Sequence, residues 1–239
     1  MDLKGKVALI TGASSGIGRD VAIGLAKEGC KLVIVGTSEN RLKEVENEIK
    51  KNRSQVLLLI ADLNRKESID LIIKETLKVF KKINIIINNA GVLFDSDFLD
   101  ITEEQWDITL NVNLKAAFLL SQKVLSIMKE QNGGYIINIS STAALEVPAG
   151  IAAYGISKLG LVGLSNALYE EGKKYNVKVS TIYPGMTDTP MLRKFNPPVS
   201  ADKWMLPADI TECVTFLLKQ SDRVIVKEMI PWARKYDKI

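Results

Sequence analysis

Seven short apolar runs punctuate the chain: KVALIT at 6–11, KLVIVG at 31–36, QVLLLIA at 55–61, INIIIN at 83–88, YIINIS at 135–140, VKVSTIY at 177–183 and RVIVKEMI at 223–230. Most are rich in Val and Ile and apolar on both faces, as a strand inside a parallel sheet must be, whereas a strand with one wet face would alternate. Between the runs, apolar positions recur at helical spacing over 16–28, 38–51, 66–80, 102–130, 152–174 and 207–218. Pro207 suits a first helical position, where its missing N–H costs nothing. This strict alternation predicts an α/β fold: one doubly wound domain over 1–239, with a seven-stranded, mostly parallel sheet and helices on both faces.

The alternation breaks at MLRKFNPPVSADKWML, 191–206, which contains Pro197 and Pro198. The break lies just beyond the carboxyl end of the run at 177–183, the edge where open α/β sheets bind ligands. A substrate lid over 190–206 is expected there, the alternative being a plain surface excursion.

Composition narrows the chemistry. With 46% hydrophobic and 25% charged residues the chain is expected to be globular, and its net charge of +4, spread without a single-sign block, makes no case for nucleic acid. No apolar run reaches membrane-spanning length and the first residues form no secretory signal, so a cytoplasmic location is expected. Cys30 and Cys213 lack metal-type spacing and read as free thiols in a reducing compartment. The chain has no histidine, which removes histidine acid–base chemistry and Ser-His-Asp triads together. Proton transfer must use Tyr, Lys, Ser, Asp, Glu or Cys.

TGASSGIG, Thr11 to Gly18, follows the first run and opens the first helical segment. Gly12, Gly16 and Gly18 let backbone amides approach an anion, and the helix N-terminus adds a favourable field for phosphate. A glycine turn alone can be a mere connection; the strand–turn–helix context favours a dinucleotide. Arg19 after Gly18 excludes a phosphate-loop NTPase motif. An NAD-preferring fold usually carries an acid at the end of the second strand, where this chain has Gly36. Thr37 and Ser38 follow, with hydroxyls and helix-start amides for a 2'-phosphate, although no Arg or Lys stands at 15 or 37. NADP(H) is therefore favoured and NAD(H) possible; Ser38 can equally be a helix cap.

AAYGISK places Tyr154 and Lys158 four apart, on one helix face. An ammonium about 4 Å from a phenol contributes roughly 4 kcal/mol at an effective dielectric near 20, about three pK units at the upper limit. That would bring the tyrosine close to neutrality, where proton transfer runs efficiently both ways. Alone, the pair could be an ordinary exposed helix face; the glycine loop upstream tips the balance.

TGASSGIG, NNAG at 88–91, Asn113 in NVN, Ser141 thirteen before Tyr154, and Tyr154 with Lys158 together resemble the short-chain dehydrogenase/reductase family, in its order and spacing from about Leu3 to Gly185. The resemblance implies a Rossmann-type domain and a metal-free, NAD(P)-dependent oxidoreductase moving a hydride between nicotinamide and a carbonyl or secondary alcohol. An NAD-dependent alcohol dehydrogenase, or a dinucleotide-binding sensor without chemistry, are the alternatives. It assigns Asn113, Ser141, Tyr154 and Lys158 to catalysis: Tyr154 as acid/base, Ser141 as hydrogen-bond donor to the substrate oxygen, Lys158 holding the ribose, Asn113 in a water-linked relay. Cofactor contacts would come from Gly12, Ser14, Ser15, Gly16, Ile17, Gly18, Thr37, Ser38, Asp62, Leu63, Asn89, Ala90, Gly91, Tyr154, Lys158, Pro184, Gly185, Thr187 and Thr189. Asp62 would touch adenine, though a strand-end Asp is also a turn former. Thr189 would hold the carboxamide; Thr187 stands where the family has Val or Ile. Ser140 reads as a cap or packing residue. The family also implies a homodimer or homotetramer through 102–130 and 152–174. Many bacterial members close with Asp-Gly-Gly after the last strand; this chain ends RVIVKEMIPWARKYDKI and looks more like family members reducing assorted ketones, aldehydes or hydroxy acids. Leu145, Val147, Met186, Met191 and Trp204 suggest a partly apolar pocket or, equally, core.

Overall fold

A computed structural model describes residues 2–195, 197 and 199–234. Asn196 and Pro198 of the expected lid, and the closing residues from 235 onward, lie outside the described residues. Strands β1 (Val7–Thr11), β2 (Lys31–Gly36), β3 (Val56–Ile60), β4 (Ile85–Asn88), β5 (Gly134–Ile139), β6 (Val177–Ile182) and β7 (Glu228–Met229) form one sheet in the order β3-β2-β1-β4-β5-β6-β7. The "mostly parallel" expectation is met throughout, since every pairing is parallel.

The helices are α1 (Gly16–Lys27), α2 (Glu39–Lys51), α3 (Lys66–Phe80), α4 (Glu103–Leu110), α5 (Ala116–Glu130), α6 (Ala152–Gly172), α7 (Pro190–Phe195) and α8 (Pro207–Lys219). Because both faces of the central strands are apolar, both must be covered. One core packs α1, α2 and α8 on the sheet through Leu25, Leu42, Val45 and Ile210. The other packs α3, α5 and α6 through Ile72, Leu120, Val124 and Leu168. Strand order reverses between β1 and β4, so their carboxyl ends open a crevice there.

Three elements depart from the hydrophobic pattern. The helix expected over 102–130 is α4 and α5 joined by a π-helical turn, Asn111–Lys115. One residue of register slip leaves the spacing of apolar positions nearly intact, so periodicity does not reveal it. The strand expected over 223–230 shrinks to Glu228–Met229. Lys178 of β6 donates its Nζ to the carbonyls of Ser221 and Val224, and Ser180 Oγ donates to the carbonyl of Val226. Upstream of Lys227 these side chains, rather than backbone pairing, hold the segment to β6. The segment beyond β6 is not wholly irregular either: it holds α7 and a short 3-10 turn at Ala201–Lys203, and its ends meet in a bridge between Thr187 and Met205.

Candidate active site

A cleft of about 710 Å³ runs along the carboxyl ends of the strands, within the range of roughly 300–1,000 Å³ common for small-molecule sites. Its nucleotide half begins at the glycine loop. Gly12 and Gly16 have φ of +66° and +54°, and a Cβ at Gly12 would stand 2.8 Å from Ala90 Cα. Thr11 locks this loop to the turn after β4: its Oγ1 accepts from the amides of Asn89 and Ala90, both at 3.0 Å. Asn89 returns its side-chain amide to the carbonyls of Thr11 and Gly12. Ser15 caps α1 without a side-chain bond, so the first-turn amides keep their donors for an anion. This is the donor set and backbone cradle a pyrophosphate requires, and the residues present fit a nicotinamide dinucleotide.

Along this half the cleft is lined by the sequence candidates Ser14, Ser15, Gly16, Ile17, Thr37, Asp62, Leu63, Asn89, Ala90 and Gly91, and by Gly36. Two expected residues do not line it. Gly18 lies beneath the loop, where a Cβ would come within 2.4 Å of Asn89 Nδ2 and of the Gly12 carbonyl oxygen. Ser38 sits one residue beyond the lining at the start of α2, and its side chain makes no capping bond. Asp62 Oδ1 accepts from the amide of Asn64, and Arg65 lies 3.8 Å from its other oxygen. The turn role foreseen for Asp62 is thus present beside its place in the lining.

Ser141, Tyr154 and Lys158 meet at the floor between the two halves. Lys158 is buried, its Nζ donating to the carbonyl of Ile139 at 2.9 Å, while Ser140 Oγ donates to the carbonyl of Lys158 itself. Ser140, expected only to cap or pack, therefore ties α6 to the end of β5. Burial pulls the Lys158 ammonium down to about 8. Tyr154 is half-buried, one side facing the cleft; dense surroundings push its phenol above the usual value, and a hydrogen bond with Ser141 works against that rise. Lys158 Nζ lies 5.6 Å from the centre of the Tyr154 ring. The lowering of the phenol expected from the lysine is thus corrected: burial holds the phenol above its ordinary value, and the opposing pull comes from Ser141. Tyr154 is held protonated at neutral pH.

Asn113 does not face the cleft. Buried in the π-turn, it clamps Val92 by accepting from its amide at 2.8 Å and donating to its carbonyl at 3.0 Å, with a further bond to Ser157 Oγ. Gly91 lies beside both groups: a Cβ added there would make ordinary contacts of 3.4 Å with Asn113 Oδ1 and 3.5 Å with Lys158 Nζ. Pro184, Gly185, Thr187 and Thr189 also line the cleft. Thr187 Oγ1 donates to the carbonyl of Gly185, and Thr189 Oγ1 accepts from the amide of Leu192, so both hydroxyls have local partners.

On the substrate side, Val147, Met186 and Met191 line the cleft as anticipated, but Leu145 and Trp204 do not. Leu145 is exposed, and Trp204 donates its indole N–H to the carbonyl of Val199. Glu146, Ile151, Leu192, Phe195, Trp232 and Ala233 line it unforeseen. The unusual closing sequence signalled a difference near Trp232; nothing in the pattern said that it turns into the cleft. Among the described residues, no group of three potential metal ligands converges, and no helix is long and apolar enough to cross a membrane.

Comparison with known proteins agrees with this geometry. Residues 6–200 match the family model described as short chain dehydrogenase. An uncharacterized oxidoreductase of Staphylococcus aureus strain USA300 is 35% identical over 227 residues, covering 95% of this chain and 96% of the relative. A metagenomic short-chain oxidoreductase solved in complex with NADP superposes with a TM-score of 0.85 at 31% identity, over 97% of this chain and 99% of that one. A 3-ketoacyl-(acyl-carrier-protein) reductase from Brucella melitensis, complexed with NADH, does so with 0.87 at 29%, over 95% and 97%.

Proposed function

The chain belongs to the short-chain dehydrogenase family and is an NAD(P)-dependent oxidoreductase; on that footing we propose that it is a carbonyl reductase preferring NADPH, with Tyr154 as its proton donor. The observation that carries this reading is the meeting of Ser141, Tyr154 and Lys158 on the floor of a cleft whose other half is a glycine-loop cradle. Nicotinamide, when bound, supplies or accepts the hydride. Gly12 to Ile17 and the start of α1 would hold the pyrophosphate, Asp62 and Leu63 the adenine end, and Lys158 the nicotinamide ribose. Pro184, Gly185 and Thr189 would border the nicotinamide.

Ser141 donates a hydrogen bond to the substrate oxygen and Tyr154 delivers its proton to that oxygen as negative charge grows there. The buried Lys158 ammonium, beside the ring, stabilises the phenolate left behind. Burial holds the phenol above its ordinary value, so Tyr154 carries a proton to give at neutral pH. Asn113 would act by position, through its bonds to Val92 and Ser157, and the family resemblance would give it a part in a water-linked relay from the lysine. Gly36 supports the NADPH preference, since no carboxylate at the end of β2 would repel a 2'-phosphate.

The same reading takes Pro190–Leu206 as a substrate lid and the cytoplasm as the setting, with Cys30 and Cys213 both free thiols. It takes a second copy of the chain as partner, on the α5 and α6 face where Phe118, Ile156 and Leu159 are exposed. The test is consumption of NADPH and NADH over a panel of ketones, aldehydes, sugars, steroids and acyl thioesters. Turnover with NADPH preferred is expected; tight nucleotide binding without any turnover would make the protein a sensor.

A further inference from the structure

The closing segment does not leave the sheet as a surface tail. Beyond β7 the chain stays beside the end of β6: Tyr183 donates its amide to the carbonyl of Met229 at 2.8 Å and Gly185 donates to that of Pro231 at 3.0 Å. A Cβ added at Gly185 would lie 3.8 Å from the Cα of Trp232. This contact carries Trp232 and Ala233 into the lining of the substrate half, Ala233 buried and Trp232 44% exposed. A large indole left partly open in a cleft wall, rather than in the core, is a surface for another molecule. Met191, Leu192 and Phe195 share that lining. The charged side chains lining the cleft are Asp62 at the nucleotide end, Lys158 on the floor and Glu146 five residues beyond Ser141.

Building on the reductase reading above, we propose that Trp232 is the specificity-determining wall of the substrate half, and that the site takes uncharged carbonyl compounds with a bulky apolar or aromatic body. A flat apolar body gains by leaving water against the indole and its apolar neighbours. A carboxylate on the same body would meet Glu146, itself exposed at the cleft rim, and be repelled by it. Trp232 acts on recognition, whereas Tyr154 and Ser141 act on the reacting oxygen.

The experiment compares wild type with W232A and E146Q by two readouts. In the first, kcat/KM is measured with NADPH for an aryl ketone bearing an ester, for the same ketone bearing the free acid, and for a small aliphatic ketone. The ratio of the aryl ester to the small ketone should fall about tenfold in W232A. The acid should gain roughly fivefold on the ester in E146Q. In the second readout, a non-reducible aryl amide of the same shape is titrated calorimetrically, and its Kd should weaken about tenfold in W232A. Where W232A melts early, W232L carries the same test, with a loss of about threefold. Wild-type turnover with unchanged ratio and Kd in these variants overturns the wall and leaves the reductase standing. Weakened amide binding with no turnover of any ketone overturns the reductase and keeps the wall. A wild type that prefers the free acid overturns the assignment to uncharged substrates.

Discussion

The two halves of the cleft are built by different means. In the nucleotide half, backbone does the work: the glycine loop and the turn after β4 are locked together by Thr11 and Asn89 through four hydrogen bonds of 2.9–3.3 Å. In the substrate half, the chain is held mainly at its ends, by the amides of Asp188 and Met205 donating to the carbonyls of Met205 and Met186, and the lining is side chains. A site fixed by backbone tolerates few alternatives and suits a ligand common to many proteins. A site fixed by side chains on loops can be refitted without disturbing the sheet. The floor of Ser141, Tyr154 and Lys158 lies where the halves meet and belongs to the rigid one, since Lys158 is tied to Ile139 at the end of β5 through Nζ and to the adjoining Ser140 through its carbonyl.

The contrast can be broken at several points. The largest effect is expected at the floor: Tyr154→Phe should lower ketone reduction by about 10³-fold while the Kd for NADP+, read by calorimetry, changes less than about threefold; turnover above a tenth of wild type would refute the proton-donor role. Lys158→Met should reduce turnover by about 10²-fold and also change the stability profile. The Lys158 pKa drops from 10.5 to about 8 on folding, so the unfolded state binds the extra proton between those values. Unfolding free energy from this group therefore rises with pH across about 8 to 10.5, and denaturant melts should show that rise in wild type and lose it in the variant.

Gly36→Asp should shift the NADPH-to-NADH ratio of kcat/KM by tenfold or more toward NADH, on the order of 1.4 kcal/mol. A Cβ there would stand 3.2 Å from Ser14, so a modest loss in melting temperature should accompany the shift. The smallest effect sharpens the contrast from the other side: Leu192→Ala should move KM for a bulky ketone about threefold and leave nucleotide affinity unchanged. Coupled loss of both would show that the halves are not independent.

What the sequence made legible follows the same division. The glycine loop, NNAG, Ser141 and the Tyr154–Lys158 pair are short local patterns whose residue types are dictated by backbone approach or helix geometry, and the fold brings them to one edge. Thr11 passed unnoticed because a threonine at a strand end carries no signal of the amides it will receive. The π-turn around Asn113 hides within helical periodicity, and the run at 223–230 does not show that side chains of β6, rather than a ladder, hold its first half. The substrate half was least legible: Leu145 and Trp204 are apolar and near in sequence yet point elsewhere, while Trp232 arrives from 78 positions beyond Tyr154. Whether an apolar residue becomes core or wall is decided by long-range packing that composition does not encode. The four-residue spacing likewise reveals the lysine beside Tyr154 but not the burial that raises its phenol.

The central claim is that Tyr154 is kept protonated and gives its proton to the substrate while a charged Lys158 stabilises the phenolate. The most direct test is the pH dependence of kcat/KM for ketone reduction at saturating nucleotide. The account predicts a level profile at neutral pH that declines as pH passes about 8, where Lys158 loses its charge. A rate that climbs with pH between about 6 and 9, the signature of a base that must first be deprotonated, would contradict it.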